Sequence, residues 1–206
     1  MLENMLLYHK ANHFVKDNYT QYIMKNIGLE IDIRDFLGEL VVSHDVPSYD
    51  NNYLLKDFFA TYKQSNANIM LALNIKSNGL CQYLMDLLIQ YEINNYFVFD
   101  MSIPDTIQYI NHNIKFFTRQ SEYELQPIFY QESSGVWLDE FKDDWITEDI
   151  ILDHIKNGKK VAIVSPELHK REYKDRWTFY REIIKRNNIS HEVMLCTDFP
   201  LEFSHD

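Results

Sequence analysis

Short apolar runs alternate along the whole chain with segments in which apolar residues recur every three or four positions. Met5–Tyr8 reads as a first strand and Tyr19–Asn26 as a short helix, with Gly28 as its exit signal. Leu29–Arg34 is a second strand, and after a tight reversal at Leu37-Gly38 the run Leu40–Ser43 returns extended. Tyr53–Tyr62 puts Leu55, Phe58, Phe59 and Tyr62 at i, i+3, i+4 and i+7, a buried helix face. Asn68–Ile75, Tyr96–Asp100, Ile114–Thr118, Val136–Leu138, Lys160–Val164 and Glu192–Cys196 follow as strands. Helices are predicted over Leu80–Tyr91, from Pro104 to about Asn111, from the Thr147 cap to Gly158, and over Tyr173–Asn187. Ser121 and Glu124 have the capping-box spacing for one more helix, interrupted at Pro127.

Eight strands separated by helical segments predict a parallel sheet, and eight such units favour closure into a compact (β/α)8 TIM barrel. With 206 residues the barrel would be small, a single domain over residues 1–206. The stretch Gly28–Asp45 breaks the alternation, because its two extended runs are joined too tightly for a crossover helix. It predicts a small hairpin after the second strand, standing above the barrel mouth. An open doubly wound sheet is the alternative.

Chemistry in such barrels sits at the carboxyl ends of the strands. Here those ends carry His9, Glu30 with Asp32, Asn74 with Lys76, Asp100, Arg119, Asp139, Ser165 leading to Glu167 and His169, and Asp198. Helix capping accounts for part of this set, since Asp and Ser are common caps. It does not account for Arg119, Lys76 or His9, which are poor caps. Glu30, Asp32 and Arg34 fall at i, i+2 and i+4 and share one strand face. Two carboxylates held that close repel unless a cation or a proton separates them.

A His after the first strand, Glu-x-Asp on the second, and His-Asp after the hairpin form a recognisable layout. On His9, Glu30, Asp32, His44 and Asp45 the sequence resembles the glycerophosphodiester phosphodiesterases, within the wider phospholipase-C-like phosphodiesterase superfamily. The resemblance implies a metal-assisted phosphodiester hydrolase with His9 and His44 as acid and base, since imidazole titrates in the range both tasks require. Glu30 and Asp32 would hold Mg²⁺ or Ca²⁺, a hard cation suited to oxygen donors. Similar proteins carry a third acidic ligand where this chain has Asn74, a departure that lowers the charge of the site. Asparagine ligands occur in the eukaryotic phospholipase C branch, and Asp100 is the candidate for the missing charge. Lys76 and Arg119 are expected to contact phosphate oxygens. Asp45 would orient an imidazole or accept the proton relay, and Glu122, Trp137, Asp139, Glu167, His169 and Trp177 would shape the pocket for an alcohol or sugar. His13, His112, His154, His191 and His205 read as incidental. Two further readings stay open: a cyclising lyase like the bacterial inositol phospholipases C, and a barrel that binds phosphate or sugar phosphate with weakened catalysis.

A net charge of −11, from 31 acidic and 20 basic residues, argues against a nucleic-acid or anionic-membrane partner. It leaves open a small or polymeric phosphodiester substrate, for which a bound cation supplies local positive charge. Cys81 and Cys196 sit in apolar runs, with no metal or disulfide spacing. With no signal-peptide pattern at MLENMLLYHK, a cytoplasmic protein is expected. Oligomeric state is not encoded in any of these features.

Overall fold

The computed structural model describes residues 5–9, 20–49 and 53–205. Eight strands form the barrel wall: β1 (Leu6–Tyr8), β2 (Gly28–Phe36), β5 (Leu71–Ile75), β6 (Tyr96–Phe99), β7 (Phe117–Ser121), β8 (Gly135–Asp139), β9 (Lys160–Val164) and β10 (Val193–Thr197). All their mutual ladders are parallel: β6 to β5, β5 to β2, β2 to β1, β1 to β10, and on through β9 and β8 to β7. Between β6 and β7 the contact is a single parallel bridge, Val98 to Phe116, supported by the Val98 N–H donating to the Lys115 carbonyl at 2.9 Å. That bridge joins the two ends of the sheet and leaves a weak seam there.

β3 (Glu39–Val42) returns antiparallel on β2, and β4 (Tyr53–Leu54) pairs antiparallel with β3. Leu37 and Gly38, at φ 51° and 82°, make the reversal, the positive-φ pair that a twisted two-residue hairpin requires. The small hairpin after the second strand is therefore present. Pairing with β3 also explains why Tyr53 and Leu54 are extended, so that the helix expected from Tyr53 begins at Leu55.

Packed on the barrel are α1 (Thr20–Met24), α2 (Leu55–Gln64), α3 (Cys81–Gln90), α4 (Ile103–Asn111), α5 (Glu148–Lys156), α6 (Lys174–Asn187) and α7 (Pro200–His205). Their apolar faces, including Phe58, Phe59, Leu84, Tyr109, Trp177 and Phe203, join the outward strand residues in one large core. Ser102 and Thr147 cap α4 and α5 with side-chain oxygens that accept from Asp105 and Ile150. The start of α1 expected at Tyr19, and His13, lie outside the described residues.

A second cluster fills the barrel: Leu7, Ala72, Phe97, Phe99, Phe117, Trp137, Ala162, Val164, Met194 and Cys196. Phe97 stacks on Phe117 at 3.8 Å between centroids, and Phe99 on Trp137 at 4.0 Å. Gly135 makes the room for this stack, since a Cβ there would lie 2.5 Å from the Phe117 ring.

Three further sequence expectations change. The fifth barrel strand runs over Phe117–Ser121 rather than Ile114–Thr118, because Ile114 donates its N–H to the Tyr109 carbonyl and completes the end of α4 after left-handed Asn113. No helix follows this strand. The Ser121–Glu124 box closes on itself as a turn, with each N–H donating to the other's carbonyl at 3.2 Å, and Pro127 lacks the N–H a helix would need. Finally, α7 was not expected, although Pro200 is a suitable first helical residue.

Candidate active site

Strand alternation sends Glu30 and Asp32 of β2 inward, above the apolar filling, where they are 2% and 1% exposed. The parallel register sets Asp32 opposite Asn74 of β5, itself 7% exposed. Asn74 donates Nδ2 to Glu30 Oε1 at 3.1 Å, while its Oδ1 is buried and accepts no hydrogen bond from the described residues. Turning the amide over would face two oxygens, so the network fixes this orientation. Two carboxylates and one orphaned carbonyl oxygen are the donor chemistry a hard divalent cation takes. Among the described residues no three His, Cys, Asp or Glu side chains gather into a metal-binding group, so any such site depends on Asn74.

Asp100 is not brought to this group. It ends β6 with a left-handed backbone, φ 69°, and its carboxylate pairs with the Arg119 guanidinium. Lys76 stands between, its Nζ 3.2 Å from Asp32 and 4.0 Å from Asp100. Arg119 Nε lies 3.7 Å from Glu124 and 4.0 Å from Asp139, and Asp139 Oδ1 accepts from His169 Nε2. Across five strands the mouth thus carries Asp32, Lys76, Asp100, Arg119 and Asp139 in alternating sign, with His169 bonded to the last. Lys76 and Arg119, expected to contact phosphate, are both held by carboxylates. Burial pulls the Arg119 pKa down, but Asp100, Asp139 and Glu124 outweigh it and push it up.

His9 follows β1, and its Nδ1 is 2.9 Å from Asp198 Oδ1, just beyond β10. A carboxylate only accepts, so Nδ1 carries the proton and Nε2 is the basic nitrogen of the neutral ring. Glu167 braces this pair by accepting from the Ser165 and Thr197 hydroxyls and, at 3.3 Å, from the Asp198 N–H. Asp198 read in sequence only as one strand end among several. Its pairing with His9 spans 189 positions and has no local signal.

His44 comes to the mouth through the hairpin. Ser43 donates its N–H to the Asp32 carbonyl at 3.0 Å. Arg34 then clamps the His44 and Lys76 carbonyls, at 3.1 Å and 3.3 Å. His44 Nδ1 is 2.8 Å from Asp45 Oδ1, and with side-chain exposures of 43% and 92% this is the solvent-facing pair of the two.

Three expected pocket residues make contacts within the fold. Trp137 lies in the barrel filling on Phe99. Trp177 is buried and donates Nε1 to Ser165 Oγ at 2.7 Å. Glu122 accepts from the N–H groups of Phe141, Lys142 and Asp143 at 2.8–3.1 Å, tying one loop to the next. Cys196 lies under the mouth, where burial first, then Glu30 and Glu167, push its thiol well above its ordinary pKa, so it stays an inert thiol.

The sequence matches no protein-family model and no curated protein. Solved structures are another matter. A protein from Galdieria sulphuraria assigned as a glycerophosphodiester phosphodiesterase superposes with a TM-score of 0.69 at 16% identity, over 97% of this chain and 95% of that one. A glycerophosphodiester phosphodiesterase from Parabacteroides distasonis gives 0.68 at 13% identity, over 97% and 94%. One from Agrobacterium tumefaciens gives 0.62 at 13%, over 98% and 99%. The fold is that of the glycerophosphodiester phosphodiesterases. In this phosphodiesterase fold the Asp198-bound imidazole and the Glu30–Asn74 oxygen group lie at the ends of neighbouring strands, β10, β1, β2 and β5.

Proposed function

We propose that the chain is a phosphoric diester hydrolase acting on a glycerophosphodiester-like substrate, small or polymeric. The observation that carries this reading is the His9–Asp198 pair, which fixes the tautomer of one imidazole beside a buried group of oxygen donors. Cleaving the ester requires a proton to leave the attacking hydroxyl and another to reach the departing alkoxide. His9, basic at Nε2, takes the first, and Asp198 stabilises the imidazolium that forms. His44, on the exposed hairpin side with Asp45 at its Nδ1, gives the second. A hydroxyl neighbouring the ester attacks phosphorus, its proton passes to His9, and the P–O bond to the leaving alcohol breaks as His44 protonates that oxygen. Water then opens the cyclic phosphate with the two histidines exchanging roles.

Glu30, Asp32 and the Asn74 carbonyl would hold Mg²⁺ or Ca²⁺, which when bound offsets the charge of the phosphate and of the two carboxylates. Lys76 would turn from Asp32 toward the substrate as the cation takes its place. The acidic surface and two free buried cysteines support a cytoplasmic enzyme with neither a nucleic-acid nor a membrane partner. No described helix is long and apolar enough to cross a membrane.

The test is turnover of glycerophosphodiesters and a chromogenic diester with Mg²⁺, Ca²⁺ or chelator, beside His9→Ala and His44→Ala. Activity lost to chelator and to either substitution supports the reading. One observation favours a second reading: the ion pairs of Lys76 and Arg119 already neutralise much of the mouth, as in a barrel that binds phosphate with weakened catalysis. Folded protein that binds phosphate but turns over no diester with any cation would be that barrel. Release of the cyclic phosphate as end product would make the chain a lyase.

A further inference from the structure

At the seam where β6 and β7 meet through one bridge, and where no helix follows β7, the wall opens into a cleft. Its volume is about 260 Å³, below the roughly 300–1,000 Å³ of drug-sized sites, which suits a small group rather than a lipid chain. Asp100, Arg119 and Glu124 line it with charge; Ile103, Ile128 and Phe129 line it with apolar surface. Asp100 and Arg119 also belong to the mouth, so the cleft runs on from the candidate active site.

Two observations suggest that this space takes a ligand. Arg119 Nε is buried and makes no hydrogen bond within the described residues, its nearest carboxylates lying at 3.7 Å and 4.0 Å. Phe129, on the cleft wall, holds left-handed backbone at φ 55°. For a bulky aromatic such as Phe129 this conformation is an outlier.

We infer that the cleft is a subsite for a polyol or sugar substituent of the phosphodiester. Its hydroxyls would donate to Glu124 and Asp100 and accept from Arg119 Nε, while its C–H face lies on Ile128 and Phe129. An acyl chain would leave the Arg119 Nε donor buried without an acceptor. The link from subsite to phosphorus rests on the phosphodiesterase reading; the subsite itself does not.

The test is therefore one of binding. Calorimetric titration compares a monophosphorylated inositol with inorganic phosphate on the wild-type chain, Glu124→Gln and Ile128→Trp, each shown to be folded by its melt. The inositol phosphate is expected to bind about tenfold to a hundredfold tighter than phosphate to the wild type, the worth of a charge-assisted hydrogen bond. Both variants are expected to bring the two ligands within about twofold, below the worth of one such bond. Equal binding of the two by wild type, or a gap that survives in either folded variant, overturns the subsite. A gap that closes as expected, in a protein that cleaves no diester, supports the subsite and refutes the phosphodiesterase.

Discussion

Asn74 donates its Nδ2 to Glu30 Oε1 across the β2–β5 ladder at 3.1 Å, and its own Oδ1 stays buried without a hydrogen-bond donor among the described residues. The amide thus steadies one carboxylate and offers one oxygen. An aspartate here would do the opposite, facing Glu30 with like charge until a cation arrives. Asn74→Asp is expected to melt lower than wild type without divalent cation and to gain more from Mg²⁺ or Ca²⁺. Melting curves with and without each ion decide this, and an identical ion response in both proteins would remove Asn74 from the site.

Asp198 holds His9 in the tautomer whose Nε2 is basic. Asp198→Asn can offer the ring its N–H and permit the other tautomer. The expected loss is about a hundredfold or more in kcat, the scale of general acid–base catalysis, with KM little changed. A loss confined to KM would assign Asp198 to binding instead.

His154 is buried on α5 between the Tyr130 hydroxyl, 3.0 Å from Nδ1, and Gln120 Oε1, 2.8 Å from Nε2. Burial pushes its pKa below the ordinary value, against a smaller upward pull from Asp153. Below that ordinary value, about 6.5, the unfolded chain takes a proton that the folded chain refuses. Stability should therefore fall as pH drops from 7 toward the depressed folded value, and level off beneath it. His154→Gln is expected to lose this part of the slope and about 1 kcal/mol per hydrogen bond at neutral pH. Denaturant midpoints across that range give the answer; parallel slopes would clear His154.

Glu122 accepts three backbone N–H groups from the loop after β8. Burial raises its pKa, but the N–H bonds prevail and hold it below the usual carboxylate range. Glu122→Ala is expected to cost about 1 kcal/mol at neutral pH, since water reaches two of the three freed donors. The contribution is present above the unfolded pKa and is lost as pH falls through the folded one. In chemical denaturation the two proteins should converge in acid, and a constant gap would rule out the carboxylate as its source.

At Gly135 an added methyl meets the Phe117 ring and, at 2.6 Å, the Lys160 carbonyl. Gly135→Ala is expected to destabilise by about 1–3 kcal/mol through overpacking. An unchanged melting temperature would mean that the Phe97–Phe117 stack yields more easily than a packed barrel should.

Much of this protein was legible in one dimension, because strand and helix periods are local. The eight barrel strands, the hairpin turn at Leu37-Gly38, the Thr147 cap and the helix start at Pro104 follow from residues a few positions apart. So did the shared strand face of Glu30 and Asp32, which period-two alternation alone imposes; that this face points inward was decided by the barrel. Boundaries slipped where a distant partner decided them: Tyr53 and Leu54 extend because β3 is there to pair with. The absent helix after β7 has the same cause in reverse, since the Ser121–Glu124 signal closed a turn and Pro127 stopped propagation. What only the tertiary structure decided was who faces whom. Sequence could supply Lys76 and Arg119 as cations but not their capture by Asp32 and Asp100, nor Asp198 as the partner of His9. Those pairings join strand ends far apart along the chain, and barrel closure alone brings them within hydrogen-bond reach. Trp137 makes the point at a single residue: alternation makes it face inward, but its depth in the barrel makes it core rather than pocket.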